Sequence, residues 1–174
     1  MKIVVEQDPA TRHHGILHVN GRTCPCALGR NGITANKREG DGATPAGCFA
    51  LREVRLRADR VGDIDTGLPH RASRPEDGWC DDPLDVRYNR ATPLPIDASA
   101  ETLWREDALY DVVVVIGYND APPQAGKGSA IFLHVAGAGL AATEGCVALP
   151  RDTLIEIVGQ LRPGDEIEIQ GPAQ

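Results

Sequence analysis

The 174-residue sequence predicts a mainly β fold, an antiparallel sandwich or barrel-like domain with a few short helices. Three observations predict it. Short apolar or alternating runs recur along the chain, separated by Gly, Pro and Asn turn signals. Strong helical periodicity is confined to one stretch, where Leu154, Ile157, Val158 and Leu161 fall at i, i+3, i+4 and i+7. No strand–helix–strand repeat calls for a parallel doubly wound sheet. There is no internal repeat and no composition shift that marks a linker, so residues 1–174 read as a single domain of a length that supports a real core.

Lys2 to Val5 is β-branched and opens the sheet. His14 to Val19 alternates, Asn20-Gly21 is the strongest short hairpin signal, and Arg22 to Leu28 returns as partner strand. Gly29 to Gly47 is a polar, glycine-rich loop that carries Lys37, Arg38, Glu39 and Asp41, and loops of this length inside a domain are usually functional or mobile. Pro45 to Val54 reads as a strand. Asp59 to Ser99 is irregular and proline-rich, yet it holds Trp79 and Tyr88 in a chain that is only 4% aromatic. Those two rings either wall a ligand or anchor the loop to the core. Ser99 to Leu109 is expected as a short helix capped by Ser99. Asp111 to Tyr118 contains a continuous apolar run, the pattern of a strand buried on both faces. Ser129 to Val135 and Cys146 to Leu149 complete the centre, Arg151 to Leu161 is the best helix, and Glu166 to Gln170 closes the sheet.

Composition excludes several classes. With 41% apolar residues the chain is globular, and a net charge of −7 without a lysine-rich tract argues against nucleic acid as a partner. No run reaches the roughly 20 apolar residues of a transmembrane helix. The start, MKIVVEQDPATRHHG, has no signal-peptide pattern, which taken literally places the chain in the cytoplasm. Five cysteines, Cys24, Cys26, Cys48, Cys80 and Cys146, leave at least one unpaired, and pairing among the first four is not set by spacing. Cys24-Pro25-Cys26 is half of a metal clip with no second pair at zinc spacing, and His13, His14 and His18 on a hairpin do not share one face. No metal site is expected.

The chemistry concentrates between Gly128 and Pro150. A strand ends on His134, a small-residue loop follows, and Thr143-Glu144-Gly145-Cys146 opens the next strand. A thiol and an imidazole at the facing ends of two strands can form a nucleophile and its base. Gly145 allows a tight turn and close approach of a carbonyl, with backbone N–H groups of Gly145 and Cys146 aimed at a developing oxyanion. A lone Cys on a strand is otherwise a core thiol.

This stretch resembles the YkuD-type L,D-transpeptidase catalytic domain. That family carries an upstream His, a loop, then Ser/Thr-His-Gly-Cys followed by an apolar residue and Arg or Asn. The matching residues are His134 and Thr143-Glu144-Gly145-Cys146-Val147-Ala148, and Thr44 to Phe49 (TPAGCF) is similar to the family's Thr-Pro-x-Gly-x-Phe strand entry. Three features depart from the pattern: Glu144 replaces the second His, Ala148 replaces the Arg or Asn, and the His-to-Cys separation is 12 residues. With KREGDGATPAG, GWCDDP and YNR, these departures resemble an α- and β-proteobacterial branch that joins L-Ala of one stem to diaminopimelate of another.

The resemblance implies a YkuD-like β-sandwich and a cysteine acyl transferase with no metal or organic cofactor. Cys146 attacks a peptidoglycan stem carbonyl, His134 moves the proton, the Val135 carbonyl orients the ring, and a second stem accepts the acyl group. Substrate contacts are expected from Lys37, Arg38, Thr143, Glu144, Trp79 and Tyr88. A substitute cation for the absent arginine is sought among Arg38, Lys37, Arg90 and Arg105, with Arg38 favoured. The same chemistry with water as acceptor is an L,D-carboxypeptidase or endopeptidase, and loss of the chemistry leaves a non-catalytic wall-binding module. A thiol titrating below the free range of about 8.5 separates an activated nucleophile from a merely buried one. The substrate class implies the periplasm.

Overall fold

The computed structural model describes residues 1–171. The chain forms β1 (Lys2–Gln7), β2 (His14–Val19), β3 (Arg22–Ala27), β4 (Ile33–Thr34), β5 (Thr44–Pro45) and β6 (Gly47–Leu56) before the one-turn helix α1 (Ala58–Val61). It continues through β7 (His70–Ala72), β8 (Asp77–Cys80), β9 (Arg90–Pro93), β10 (Ala100–Thr102), β11 (Val112–Ile116) and β12 (Phe132–Val135). A 3-10 turn at Ala138–Leu140 leads to β13 (Val147–Leu149), α2 (Arg151–Gln160) and β14 (Glu166–Gln170). The strand-dominated class expected from the sequence is what the chain adopts.

The main sheet runs β11-β12-β13-β3-β2-β1-β14-β6-β7. β6 also pairs with β11, so the first eight of these strands close into a ring. Ten residues let β6 serve two neighbours along one edge: β14 pairs with its first half and β7 with its second. The sheet is mixed rather than purely antiparallel. β1–β14, β12–β13 and β6–β7 are parallel ladders. Alternation along a strand reports which face is buried and carries no information on the direction of its partner.

The hairpin between β2 and β3 forms as expected, with Asn20 and Gly21 both at positive φ (49° and 75°), the two-residue turn whose twist suits the strands. α2 packs Leu154, Ile157 and Val158 into the core. β11 is buried along its whole length. Val112, Val114 and Ile116 join the large core inside the ring together with Leu133, Val147 and Leu149. Val113 and Val115 face the other way, into a second cluster with Phe132, Trp79, Leu103 and Cys146.

What covers that outer face is a small sheet of order β10-β8-β9. It is built from the irregular, proline-rich segment. The helix expected over Ser99 to Leu109 does not form. Ala100 to Thr102 instead pairs with β8, Glu101 lying opposite Trp79, and Leu103 is buried behind it. Pairing with a neighbouring strand overrides a weak local helical preference.

Asn89 ties the small sheet to the ring. Its φ is 54°, a left-handed conformation that Asn tolerates. Its Oδ1 accepts from Trp79 Nε1 at 2.9 Å and from the Ala130 N–H at 3.0 Å, while Nδ2 donates to the carbonyls of Tyr118 (3.0 Å) and Asn119 (2.8 Å). All four hydrogen-bonding positions of the amide are used in a buried setting. Replacing Asn89 by Ala leaves these partners unmatched and is expected to destabilise the fold by about 3–5 kcal/mol. Chemical denaturation checks this, and a loss under about 1 kcal/mol contradicts the role assigned to the amide.

Candidate active site

β12 and β13 are parallel neighbours joined by the loop between Val135 and Val147, which carries the chain from the end of one strand back to the start of the next. Leu133 pairs with Val147 and His134 with Ala148, so Cys146 sits beside Phe132, one diagonal step from His134. Alternation then puts Phe132, His134 and Cys146 on the outer face, away from the large core. The Cys146 thiol donates to the Ala130 carbonyl at 3.3 Å, and its sulfur accepts the Phe132 N–H at 3.3 Å. His134 Nδ1 lies 2.8 Å from the Val135 carbonyl. A carbonyl only accepts, so Nδ1 carries the hydrogen and Nε2 is the basic nitrogen. Tyr110 packs edge-on against the imidazole, with ring centroids 5.1 Å apart.

Both groups are buried, at 8% and 5% exposure. Burial pushes the Cys146 thiol up to about 12, helped by the Glu101 carboxylate and opposed by the Phe132 N–H and Lys37. Burial also pushes His134 down to about 4, against the hydrogen bond to Val135. Desolvation penalises the charged form of each. The free site therefore holds a neutral thiol and a neutral imidazole rather than an ion pair, and the low titration expected of an activated thiol is not what this cavity produces.

Gly145 has φ of 139°, and a Cβ there would lie 2.9 Å from the Ala43 carbonyl and 3.5 Å from Lys37 Nζ. Only glycine fits this turn. Thr143 braces it: its Oγ1 accepts the Gly145 N–H at 3.1 Å and donates to the Cys146 carbonyl at 2.7 Å. The Gly145 N–H expected to face an oxyanion is thus engaged by Thr143. From below, Thr44 Oγ1 accepts the Gly29 N–H at 2.8 Å and donates weakly to the Cys146 carbonyl at 3.4 Å.

Cys146 and His134 open onto one cavity of about 430 Å³, whose walls include Lys37, Glu39, Asp81, Glu101 and Arg105. The volume is in the range that holds a small peptide segment. Lys37 is brought in by the glycine-rich loop and is buried, its Nζ 2.5 Å from Asp41 Oδ1. Asp41 also takes the N–H groups of Arg38 (2.7 Å) and Ala43 (2.9 Å), which fixes the loop. Arg38, the favoured cation, is exposed and is no part of the cavity wall, because Asp41 orders its backbone and holds the preceding residue, Lys37, inward instead. Arg90 faces a different cavity, and Arg105 reaches this one while held by Asp107 at 2.9 and 2.6 Å.

Trp79 and Tyr88 lie outside this cavity, a correction to their expected substrate contacts. Trp79 is buried, packs T-shaped on Phe132 at 5.2 Å, and so supports the strand beneath the nucleophile. Tyr88 donates to Glu39 Oε2 at 2.5 Å and accepts the Gly128 N–H at 3.0 Å, anchoring two loops. Thr143 and Glu144 do line the cavity, with Glu144 exposed at its rim and paired to Arg30. Sequence reading missed Glu101 and Tyr110, since it placed the first in a helix and gave the second no role. All five cysteines are free thiols, and no cluster of metal-ligating side chains is present among the described residues.

A family model, the L,D-transpeptidase catalytic domain called YkuD, matches residues 3–169. The chain belongs to the YkuD family. An L,D-transpeptidase from Mycobacterium smegmatis is similar at 16% identity, covering 97% of this chain and 58% of that one, with a TM-score of 0.45. L,D-transpeptidase 3 from Mycobacterium tuberculosis with a faropenem-derived adduct shares 13% identity over 97% and 60% of the two chains, TM-score 0.44. L,D-transpeptidase 1 of the same organism shares 16% over 98% and 62%, TM-score 0.38. The chain thus spans about three-fifths of the length of these solved structures. No curated protein matches it.

Among YkuD features, Ala148 now has a physical reading. It is fully buried between His134 on β12 and Ala27 on β3. The charged side chains of the cavity wall come from other positions, Lys37 and Arg105 among them.

Two outcomes follow from the neutral pair. Alkylation of Cys146 in the free protein should rise about tenfold per pH unit from 7 to 10 without levelling near 8.5; a plateau below pH 8 would show a pre-formed thiolate. For His134, the unfolded chain takes up a proton near pH 6.5 and the native chain only near 4. Stability is therefore full above 6.5 and falls as pH drops toward 4, by up to about 3 kcal/mol from this group. The pH dependence of the denaturation midpoint should flatten across that window in His134→Gln, and an unchanged slope contradicts it.

Proposed function

We propose that this chain is a cysteine acyl transferase that crosslinks peptidoglycan stem peptides. The observation that supports it most is the placement of Cys146 and His134 on one cavity wall, with Nδ1 locked to the Val135 carbonyl and Nε2 left as the base.

Cys146 sulfur attacks a stem peptide carbonyl as Nε2 of His134 accepts the thiol proton. Because both groups are neutral at rest, proton transfer accompanies C–S bond formation instead of preceding it. The Cys146 N–H and the Lys37 ammonium behind Gly145 are the groups available to the tetrahedral oxyanion. The imidazolium then gives its proton to the leaving amine, and a thioester remains. An amine of a second stem attacks it and restores the thiol. The acyl donor contributes an L-Ala carbonyl and the acceptor a diaminopimelate amine, giving an L-Ala–diaminopimelate crosslink. This substrate puts the working enzyme outside the cytoplasmic membrane, in the periplasm. No helix among the described residues is long and apolar enough to cross a membrane.

Intact-protein mass spectrometry after exposure to a stem peptide or a carbapenem should place one acyl adduct on Cys146. Cys146→Ala should abolish the adduct and crosslinked dimers, and His134→Ala should slow acylation by about 10²–10⁴-fold. Dimers formed by Cys146→Ala would overturn the reading. Shortened monomers without dimers at any acceptor concentration would instead establish hydrolysis, the carboxypeptidase outcome.

A further inference from the structure

The small sheet brings acidic residues to a cavity that the ring alone would leave apolar. Glu101 projects from β10, Asp81 follows β8, and Glu39 comes from the glycine-rich loop. The cavity's cations are already matched, Lys37 by Asp41 and Arg105 by Asp107. These three carboxylates form no ion pair among the described residues, and hydroxyls hold Glu39 and Glu101. Glu39 Oε2 takes both Tyr88 Oη and Ser129 Oγ, at 2.5 and 2.7 Å, which commits that group to holding loops. Asp81 Oδ1 is buried and has no hydrogen-bond partner among the described residues. Glu101 Oε1 accepts from Tyr110 Oη, and Tyr110 packs edge-on against His134. Glu101 is thus the carboxylate linked to His134 through Tyr110, and the Cys146 thiol responds to its charge more than to any other charged side chain.

An amine acceptor raises a problem that one base does not solve. It arrives as an ammonium with a pKa of about 8–10. It must lose one proton before its lone pair can attack and a second as the amide forms. His134 can take only one of them.

We propose that Glu101 is the acceptor-side base, taking the first proton from the incoming ammonium so that the Cys146 thioester is captured by amine rather than by water. The step balances. The ammonium gives a proton to the Glu101 carboxylate, and the free amine nitrogen attacks the thioester carbon. The C–N bond forms, the C–S bond breaks, and the second nitrogen proton passes through His134 Nε2 to the departing thiolate. Glu101 then releases its proton to solvent through the cavity mouth. Burial holds its carboxyl above the ordinary range, opposed by the Tyr110 hydroxyl and by Arg105 and supported by the charges of Asp81 and Glu39. These groups, with His134 and Cys146, are what face it. A carboxylate tuned in that direction is a better proton acceptor.

This inference rests on the acyl-transfer reading, and the test separates the two. A stem-peptide donor and a second stem with a free diaminopimelate amine are supplied to wild type, Glu101→Gln and Tyr110→Phe. Thioester formation, amine capture and hydrolysis are followed separately by mass spectrometry from pH 6 to 10. In Glu101→Gln, amine capture should fall at least tenfold more than thioester formation at pH 7. The gap should close toward pH 10, where solvent supplies free amine. Tyr110→Phe should show a smaller shift in the same direction. A transfer-to-hydrolysis ratio and pH profile equal to wild type in Glu101→Gln would overturn the inference while leaving the nucleophile assignment intact. Failure of wild type to form a thioester would overturn the acyl-transfer reading itself, and this inference with it.

Discussion

The parallel pairing of β12 with β13 is the constraint on which the site depends. Antiparallel neighbours joined by a tight turn would place the end of one strand against the start of the next at a single edge. Parallel neighbours need a crossover, and this one passes over the outer face of the ring through Gly137, Gly139 and Gly145. The register that results sets Cys146 against Phe132 and His134 against Ala148. It fixes Cys146 and His134 on one face before any side chain chooses a rotamer. The left-handed Gly145 and the Thr143 hydroxyl hold the chain at the point where crossover becomes strand.

That face is outer with respect to the ring, yet it is buried, because the small sheet lies over it. Burial sets the electrostatics. Desolvation raises the Cys146 thiol and lowers the His134 imidazole, so the resting pair favours its neutral form. Trp79 and Asn89 belong to that covering segment and fasten it to the ring. They keep the cover in place, and the cover keeps the pair neutral.

Much of this was legible in the sequence. The strands, the Asn20-Gly21 turn and α2 were readable because apolar spacing and turn chemistry are local signals. That His134 and Cys146 come together was readable because both stand at the ends of apolar strands joined by a small-residue loop. Strand direction was not legible, since alternation is blind to it. Nor was β10, whose state is decided by β8 rather than by its own residues. The choice of Lys37 over its neighbour Arg38 turned on which way a loop residue faces. Asp41 decides that through backbone hydrogen bonds that no periodicity records.

Apart from Glu144 at the rim, the residues that give the cavity its charge come from outside the motif that marks it. The motif stretch contributes a thiol, an imidazole and a glycine turn. At the position where a motif arginine would stand, Ala148 is sealed between two strands and leaves no room for charge. Lys37 comes from a glycine-rich loop more than a hundred residues upstream, Arg105 from the segment before β11, and Glu39, Asp81 and Glu101 from that loop and the small sheet. This division separates two requirements. The ring holds the bond-making pair in a register that substitution elsewhere barely disturbs. The loop and the small sheet can change which substrate charges are accepted without moving sulfur or imidazole.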